Sequence, residues 1–181
     1  ALAESLLELT NLEAAERAAQ VSMAALIRDA AGEAALSAAA RDVSIQTDIS
    51  PCVLPGNERL LHRAVFNLLE NAVKYSPAGG TVRVSGHLAD GRFRLDVSDQ
   101  GPGIPPDLRR RIFEPFFRVD DARTRQQGGA GLGLALVQAI AEAHGGTVRM
   151  EERAAGGSRF ILELPCALKP AVCTAPDRPK L

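Results

Sequence analysis

The sequence has almost no charge bias: 21 Lys and Arg face 22 Asp and Glu over 181 residues, for a formal net charge of -1. Charge therefore implies neither a nucleic-acid platform nor an anionic membrane as partner. It also lacks any apolar run of about 18 residues and any signal-like start, so it is expected neither to span a membrane nor to carry an export address. Cysteine is scarce. Cys52, Cys166 and Cys173 are an odd set without C-x-x-C spacing, which suits buried or idle thiols in a reducing cytosol better than a disulfide frame or a zinc site. No chemistry is assigned to them. What remains is ordinary for a globular chain, with 46% hydrophobic and 24% charged residues. The length suffices for one core plus an appendage, burying roughly 70% of the unfolded surface.

Along the chain, Leu2, Leu6, Leu9 and Leu12 recur at steps of four and three on a Glu-rich background, predicting an amphipathic helix over 1–19. A stripe that narrow suits pairing with another helix or packing on its own domain, and periodicity leaves both open. An Ala-rich helix is predicted over 23–40 and a strand through Val43, Ile45, Thr47 and Ile49. Pro51 and Pro55 break the chain before a third helix over 57–75, whose apolar face is Leu61, Ala64, Val65, Leu68 and Ala72. Two strands flank Asp90-Gly91 as a hairpin, a short helix is predicted near 107–113, and strands over 147–152 and 158–164 close the domain. Residues 166–181 are proline-rich without periodicity and read as a tail.

Four stretches carry chemistry. Asn67, Asn71 and Lys74 stand at i, i+4 and i+7, stacking two amides and an ammonium along one face of a helix. Asn is intrinsically poor in helix interiors, which invites a functional explanation, although a solvated face has the same spacing. Asp99-Gln100-Gly101-Pro102-Gly103-Ile104 puts a carboxylate at a strand end with two glycines after it, a turn able to fold around a flat ligand; a plain surface turn is the alternative. Phe113, Phe116 and Phe117 anchor a loop, and the polar segment from Asp120 to Gly129, with Arg123 and Arg125, reads as a lid. Last, Gly128-Gly129-Ala130-Gly131-Leu132-Gly133-Leu134 opens a helix whose first amides are uncovered, a phosphate seat; close backbone packing would also select such glycines.

In this order the stretches resemble the N box (67–75), first glycine box (99–103), F box (113–117) and second glycine box (129–134) of the ATP-binding catalytic domain of sensor histidine kinases. That domain lies within the superfamily that includes gyrase, a heat-shock chaperone and mismatch-repair ATPases. The resemblance covers roughly 20–165, and Leu6 to Glu13 resembles the end of the preceding dimerisation helix. The implied organisation is the end of a dimerisation helix over 1–19, the catalytic domain over 20–165 and a tail over 166–181. The implied fold is α+β: a two-layer sandwich with a mixed, mostly antiparallel sheet under three helices, plus the N-terminal helix.

The resemblance also implies roles. Asn71 would hold Mg2+ through its amide oxygen, a hard ligand of the kind that cation prefers. Asn67 would assist the hydrated metal or phosphates, Lys74 would add charge to them, and Tyr75 would line the nucleotide. Asp99 would accept a hydrogen bond from the adenine amino group, with Gly101 and Gly103 letting the backbone approach the base and Ile104 beside it. Gly129, Gly131 and Gly133, with Leu132 and Leu134, would wrap the phosphates of ATP, and Arg118, Arg123 or Arg125 would reach the γ-phosphate. Hydrolysing members of the superfamily carry Glu where Asn67 stands, so phosphoryl transfer is expected rather than water activation. Glu70, about 60° around the helix from Asn67, is a further catalytic candidate, for a water or an incoming imidazole.

His62, His87 and His144 are followed by Arg63, Leu88 and Gly145, not by the acidic neighbour of a phosphoacceptor. The substrate histidine is therefore expected outside this sequence. Expected partners are a phosphoacceptor helix, a response regulator receiver domain and a second subunit. The expected location is the cytoplasmic side of a membrane-anchored protein. An anti-sigma-factor type serine kinase and a non-catalytic nucleotide-binding module of the same fold are the alternatives.

Overall fold

A computed structural model describes residues 19–119, 130–153 and 155–166. The predicted helix over 1–19, the lid with Arg123, Arg125, Gly128 and Gly129, and the tail lie outside those residues, apart from the boundary positions 19 and 166.

The order is β1 (Gln20–Ser22), α1 (Met23–Ala40), β2 (Ser44–Ile49), β3 (Val53–Pro55), α2 (Glu58–Tyr75), β4 (Thr81–Ala89), β5 (Arg92–Ser98), a 3-10 turn (Arg111–Phe113), α3 (Gly133–Ala143), β6 (Thr147–Glu152) and β7 (Ser158–Pro165). The main sheet runs β2-β4-β5-β7-β6, with β2 parallel to β4 and every other pair antiparallel. Three helices cover one face, as the resemblance implies. Strand alternation builds that layer: Val82 and Val84, then Phe93, Leu95 and Val97, then Phe160, Leu162 and Leu164 are all buried, and the three helices add their apolar sides to the same core. The other face is charged. There Asp96, 3% exposed, is held by Arg94 and Arg159, and Arg149 reaches Glu163 at 2.9 Å. Ile161, in register with Asp96 and Arg149 on that face, is fully buried, so long side chains cover it.

Local chemistry sets the element ends. Asn57 caps α2 by accepting the Leu60 amide at 3.1 Å, and Ser76 returns its hydroxyl to the Ala72 carbonyl at 2.8 Å. The β4–β5 turn places Asp90 and Gly91 both at positive φ, 51° and 73°, the I′ geometry that matches strand twist. His144 ends α3 and ties it to α2: its Nε2 accepts the Asn57 amide at 3.1 Å while Nδ1 donates to the Ile140 carbonyl at 2.8 Å. That is more than the surface or capping role its place before Gly145 suggests.

Three expectations need correction. A small antiparallel pair, β1 with β3, occupies the stretch expected only to break at prolines; Pro55 sits at its end, where it needs no ladder donor within the strand. The helix expected near 107–113 is only a three-residue 3-10 turn, because Pro105, Pro106 and Pro115 leave too short a span to nucleate an α-helix. Of the three phenylalanines expected to anchor the F-box loop, Phe113 is buried and Phe117 half-buried under Arg111, but Phe116 is 57% exposed at φ 65°.

Gly32 lies exposed in the interior of α1, where an added Cβ would meet nothing within 4 Å. Gly32→Ala should raise stability by about 0.5 to 1 kcal/mol, read as a higher denaturation midpoint with an unchanged denaturant slope.

Candidate nucleotide site

The helix start that opens α3 is built by two glycines with different jobs. Gly131 adopts φ 71°, and a Cβ there would stand 2.8 Å from the Phe116 carbonyl carbon; Phe116 donates its amide to the Gly131 carbonyl at 2.9 Å. The F box and second glycine box are thus joined backbone to backbone. Gly133, the first residue of α3, would place a Cβ 3.1 Å from Asn67 Oδ1. The first cross-turn bond is Leu136 N–H to the Leu132 carbonyl at 2.9 Å, so the amides of Gly133, Leu134 and Ala135 precede the ladder and carry the positive end of the helix dipole.

The amide row of α2 therefore meets that helix start. Asn67 Nδ2 donates to the Arg63 carbonyl at 2.8 Å, which leaves Oδ1 turned to Gly133. Asn71 follows one turn later, half-buried. Lys74 lies with its Nζ 5.1 Å from the Tyr75 ring centroid. Burial, then Arg118 and Arg41, hold the Lys74 ammonium below its usual pKa; burial raises the Tyr75 phenol against an opposing pull from Arg118. Arg118 is thus beside the row, and Arg41 joins it, donating to the Lys74 carbonyl at 3.2 Å. Crowded cations are relieved by an anion between them.

The Asp99 corner is more enclosed than its sequence suggests. Asp99 is 2% exposed, and its Oδ1 accepts the Gly101 amide at 2.8 Å and the Ser158 amide at 3.0 Å. Burial raises its carboxyl above the usual range, against the lowering effect of the Ser158 and Gly101 hydrogen bonds and of Arg153. Gly101 is required by a close approach: a Cβ would lie 2.6 Å from the Tyr75 carbonyl oxygen, so the turn packs on the end of α2. Gly103 turns at φ 77°, and Ile104, half-buried against the core, accepts Arg109 Nε at 3.0 Å.

The residues that hold this corner from behind carry no signal in the sequence. Arg153 Nη1 donates to the Asp99 carbonyl at 2.5 Å, and a Cβ on Gly157 would collide with that same oxygen. The Gly156-Gly157 turn reads as a plain connector between strands; only the pairing of β5 with β7 puts it behind Asp99. Arg153→Ala should lower the melting temperature by roughly 3 to 6 °C, from the loss of a charge-assisted hydrogen bond of about 1.5 kcal/mol. ATP affinity should fall several-fold, measured by calorimetry.

The Glu70 carboxylate accepts the Ser37 hydroxyl of α1, whereas Asn67 faces α3. Glu70, off the row as helix geometry requires, thus ties α2 to α1. Gly129 lies outside the described residues; of the rest of the predicted phosphate-wrapping set, Gly133 meets the row at Asn67, Gly131 packs on Phe116, and Leu132 and Leu134 flank Gly133 at the start of α3. A hollow of about 730 Å³ on the open sheet face, lined by Asp48, Arg83, Asp96 and Arg159, lies on the opposite side of the sheet, and its Asp96 is already paired. Among the described residues no three His, Cys, Asp or Glu gather to hold a metal. No helix among them is long and apolar enough to cross a membrane.

The structure thus holds an amide row on one helix, a glycine-opened start of the next at Asn67 and a buried carboxylate at Asp99. Residues 56–168 match the family described as histidine kinase-, DNA gyrase B-, and HSP90-like ATPase, and the chain belongs to that family. It is 38% identical over 168 residues to the sensor-like histidine kinase SenX3 of Mycobacterium tuberculosis, covering 91% of this chain and 41% of that protein. With the histidine-protein kinase/phosphatase MprB of Mycolicibacterium smegmatis it shares 47% over 118 residues, 65% of this chain and 24% of that one. The chain thus spans less than half the length of these relatives. Among solved structures, a mycobacterial sensor histidine kinase MprB superposes at TM-score 0.74 with 35% identity, over 82% of this chain and 97% of that one. Full-length ShkA in complex with AMPPNP superposes at 0.76 with 32% identity, over 93% and 36%.

Proposed function

We propose that this chain binds Mg-ATP and donates the γ-phosphate to a histidine on a dimerisation helix of a sensor histidine kinase. The observation that supports the reading is the approach of Asn67 Oδ1 to the Gly133 position, which brings the first residue of the Asn67, Asn71 and Lys74 row to the start of α3. The phosphates would lie between the row and those amides, with Asn71 offering an oxygen to Mg2+ and Lys74 and Arg118 adding charge. The cation would neutralise charge on the transferring phosphoryl group. Asp99 would accept from the adenine amino group at the far end.

Transfer rather than hydrolysis is favoured by Asn67 itself, whose amide cannot take a proton from water and is occupied with the Arg63 carbonyl. Of the histidines in this sequence, His144 is bonded at both ring nitrogens, which leaves it no free nitrogen to accept a phosphoryl group. A response regulator would take the phosphate onward, and the parent protein would act as a dimer on the cytoplasmic side of a membrane. Labelled ATP should leave this chain unlabelled but label a longer chain that includes the dimerisation helices, with an acid-labile bond. An acid-stable label would point to serine and to the anti-sigma-factor type of kinase; stable self-labelling of this chain would sink the reading.

A further inference from the structure

Two of the three cysteines, 114 positions apart in sequence, meet in space: Cys52 Sγ and Cys166 Sγ are 3.8 Å apart. Each is fixed by its main chain. The Cys52 carbonyl accepts the Met23 amide at 2.9 Å where α1 begins, and the Cys166 amide donates to the Gly91 carbonyl at 2.9 Å at the β4–β5 turn. Cys52 is 8% exposed, while Cys166 is half-buried with its thiol on the Val53 carbonyl of β3 at 3.4 Å. The two sulfurs would have to approach by about 1.8 Å to reach the roughly 2.05 Å of a disulfide. The pair is also remote from the nucleotide: Pro165, beside Cys166, packs near Gly145 just past the C-terminal end of α3, whereas the phosphate seat is at its start.

We propose that Cys52 and Cys166 form a reversible disulfide, a thiol modification site that clips the end of β7 to the β1–β3 ribbon. Burial, and next Cys166, push the Cys52 thiol up to about 12, so the more accessible Cys166 reacts first. With a peroxide as oxidant, the Cys166 thiolate attacks one oxygen and the O–O bond breaks, giving a sulfenic acid and, with one proton, water. The Cys52 sulfur then displaces hydroxide from that sulfenic acid, and its proton leaves with the hydroxide as a second water. Two thiols lose two electrons in all and one peroxide gains them. A dithiol reverses the bond by exchange. The bond ties the ribbon to the five-stranded sheet and closes a loop that holds every element from β3 to β7. Closing a loop of that length should raise the melting temperature on the order of 10 °C.

The test treats the 181-residue chain with hydrogen peroxide, alkylates it under denaturing conditions and maps the peptides by mass spectrometry, alongside thermal melts with and without dithiothreitol. Expected are loss of two of the three thiols, a Cys52–Cys166 linked peptide, and a rise in melting temperature that dithiothreitol abolishes. Cys173→Ser should keep the linked peptide and the shift, and Cys166→Ser should lose both. Since Cys166 is only half-buried, that variant folds even where replacing Cys52 does not. The proposal is overturned by a Cys52 that stays open to alkylation, by links through Cys173 or between chains, or by the absence of a reversible shift. These readouts do not depend on nucleotide, so they stand or fall apart from the kinase reading.

Discussion

Asp99→Asn should abolish most ATP binding while leaving the fold at least as stable at neutral pH. The Asn oxygen can still accept the Gly101 and Ser158 amides that Oδ1 accepts now, so the corner keeps its internal bonds. What changes is the ligand side, where an NH2 group would oppose the adenine amino group. Losing a hydrogen bond to a charged acceptor costs about 1.5 to 3 kcal/mol, and opposed donors add to it, so the dissociation constant should rise roughly 100-fold. Isothermal calorimetry with ATP measures this, and differential scanning calorimetry on the same sample shows whether the fold is intact.

The stability half follows from the direction of the carboxyl shift. Burial raises the folded-state pKa of Asp99 above its ordinary 3.8, so folding favours the protonated form. That contribution is fully present below the unfolded value and is lost as pH rises through the folded one. The wild-type chain should therefore lose stability across that acidic window relative to Asp99→Asn, which has no such titration.

Asn71→Ala should reduce phosphoryl transfer to an externally supplied dimerisation helix by about 100-fold or more, from the loss of a fixed oxygen at the charge that develops in transfer. Its signature is magnesium dependence. Affinity for nucleotide without Mg2+ should change less than about threefold, since a cation ligand is lost rather than a base contact, while the gain in affinity on adding Mg2+ should disappear. Glu70→Gln is the matched control: its neighbour is Ser37 of α1, so transfer should stay within about twofold of wild type. A large loss in Glu70→Gln, with Asn71→Ala unaffected, would reverse the assignment of roles on α2.

Local chemistry accounts for what is legible in the sequence. The apolar positions of α2 and the Asp90-Gly91 turn are each written in a few consecutive residues, and the fold has them where the pattern puts them. The alignment of Asn67, Asn71 and Lys74 follows from helix geometry alone. Partners distant in sequence are not legible. Nothing near Glu70 announces that it faces Ser37, 33 positions away, and nothing near Gly157 announces that it backs Asp99. The β1–β3 ribbon is hidden because strands of only three residues carry too little pattern. The Cys52 and Cys166 thiols, idle by count and spacing, meet only because β7 ends beside β3.

Titration of ATP into the unmutated chain, with and without Mg2+ and with GTP in parallel, tests the central claim most directly. Binding that is strengthened by Mg2+ and strongly prefers adenine is expected, because Asp99 would face the guanine oxygen as one acceptor against another. No heat of binding up to millimolar ATP, or equal binding of ATP and GTP, would contradict the assignment of this site.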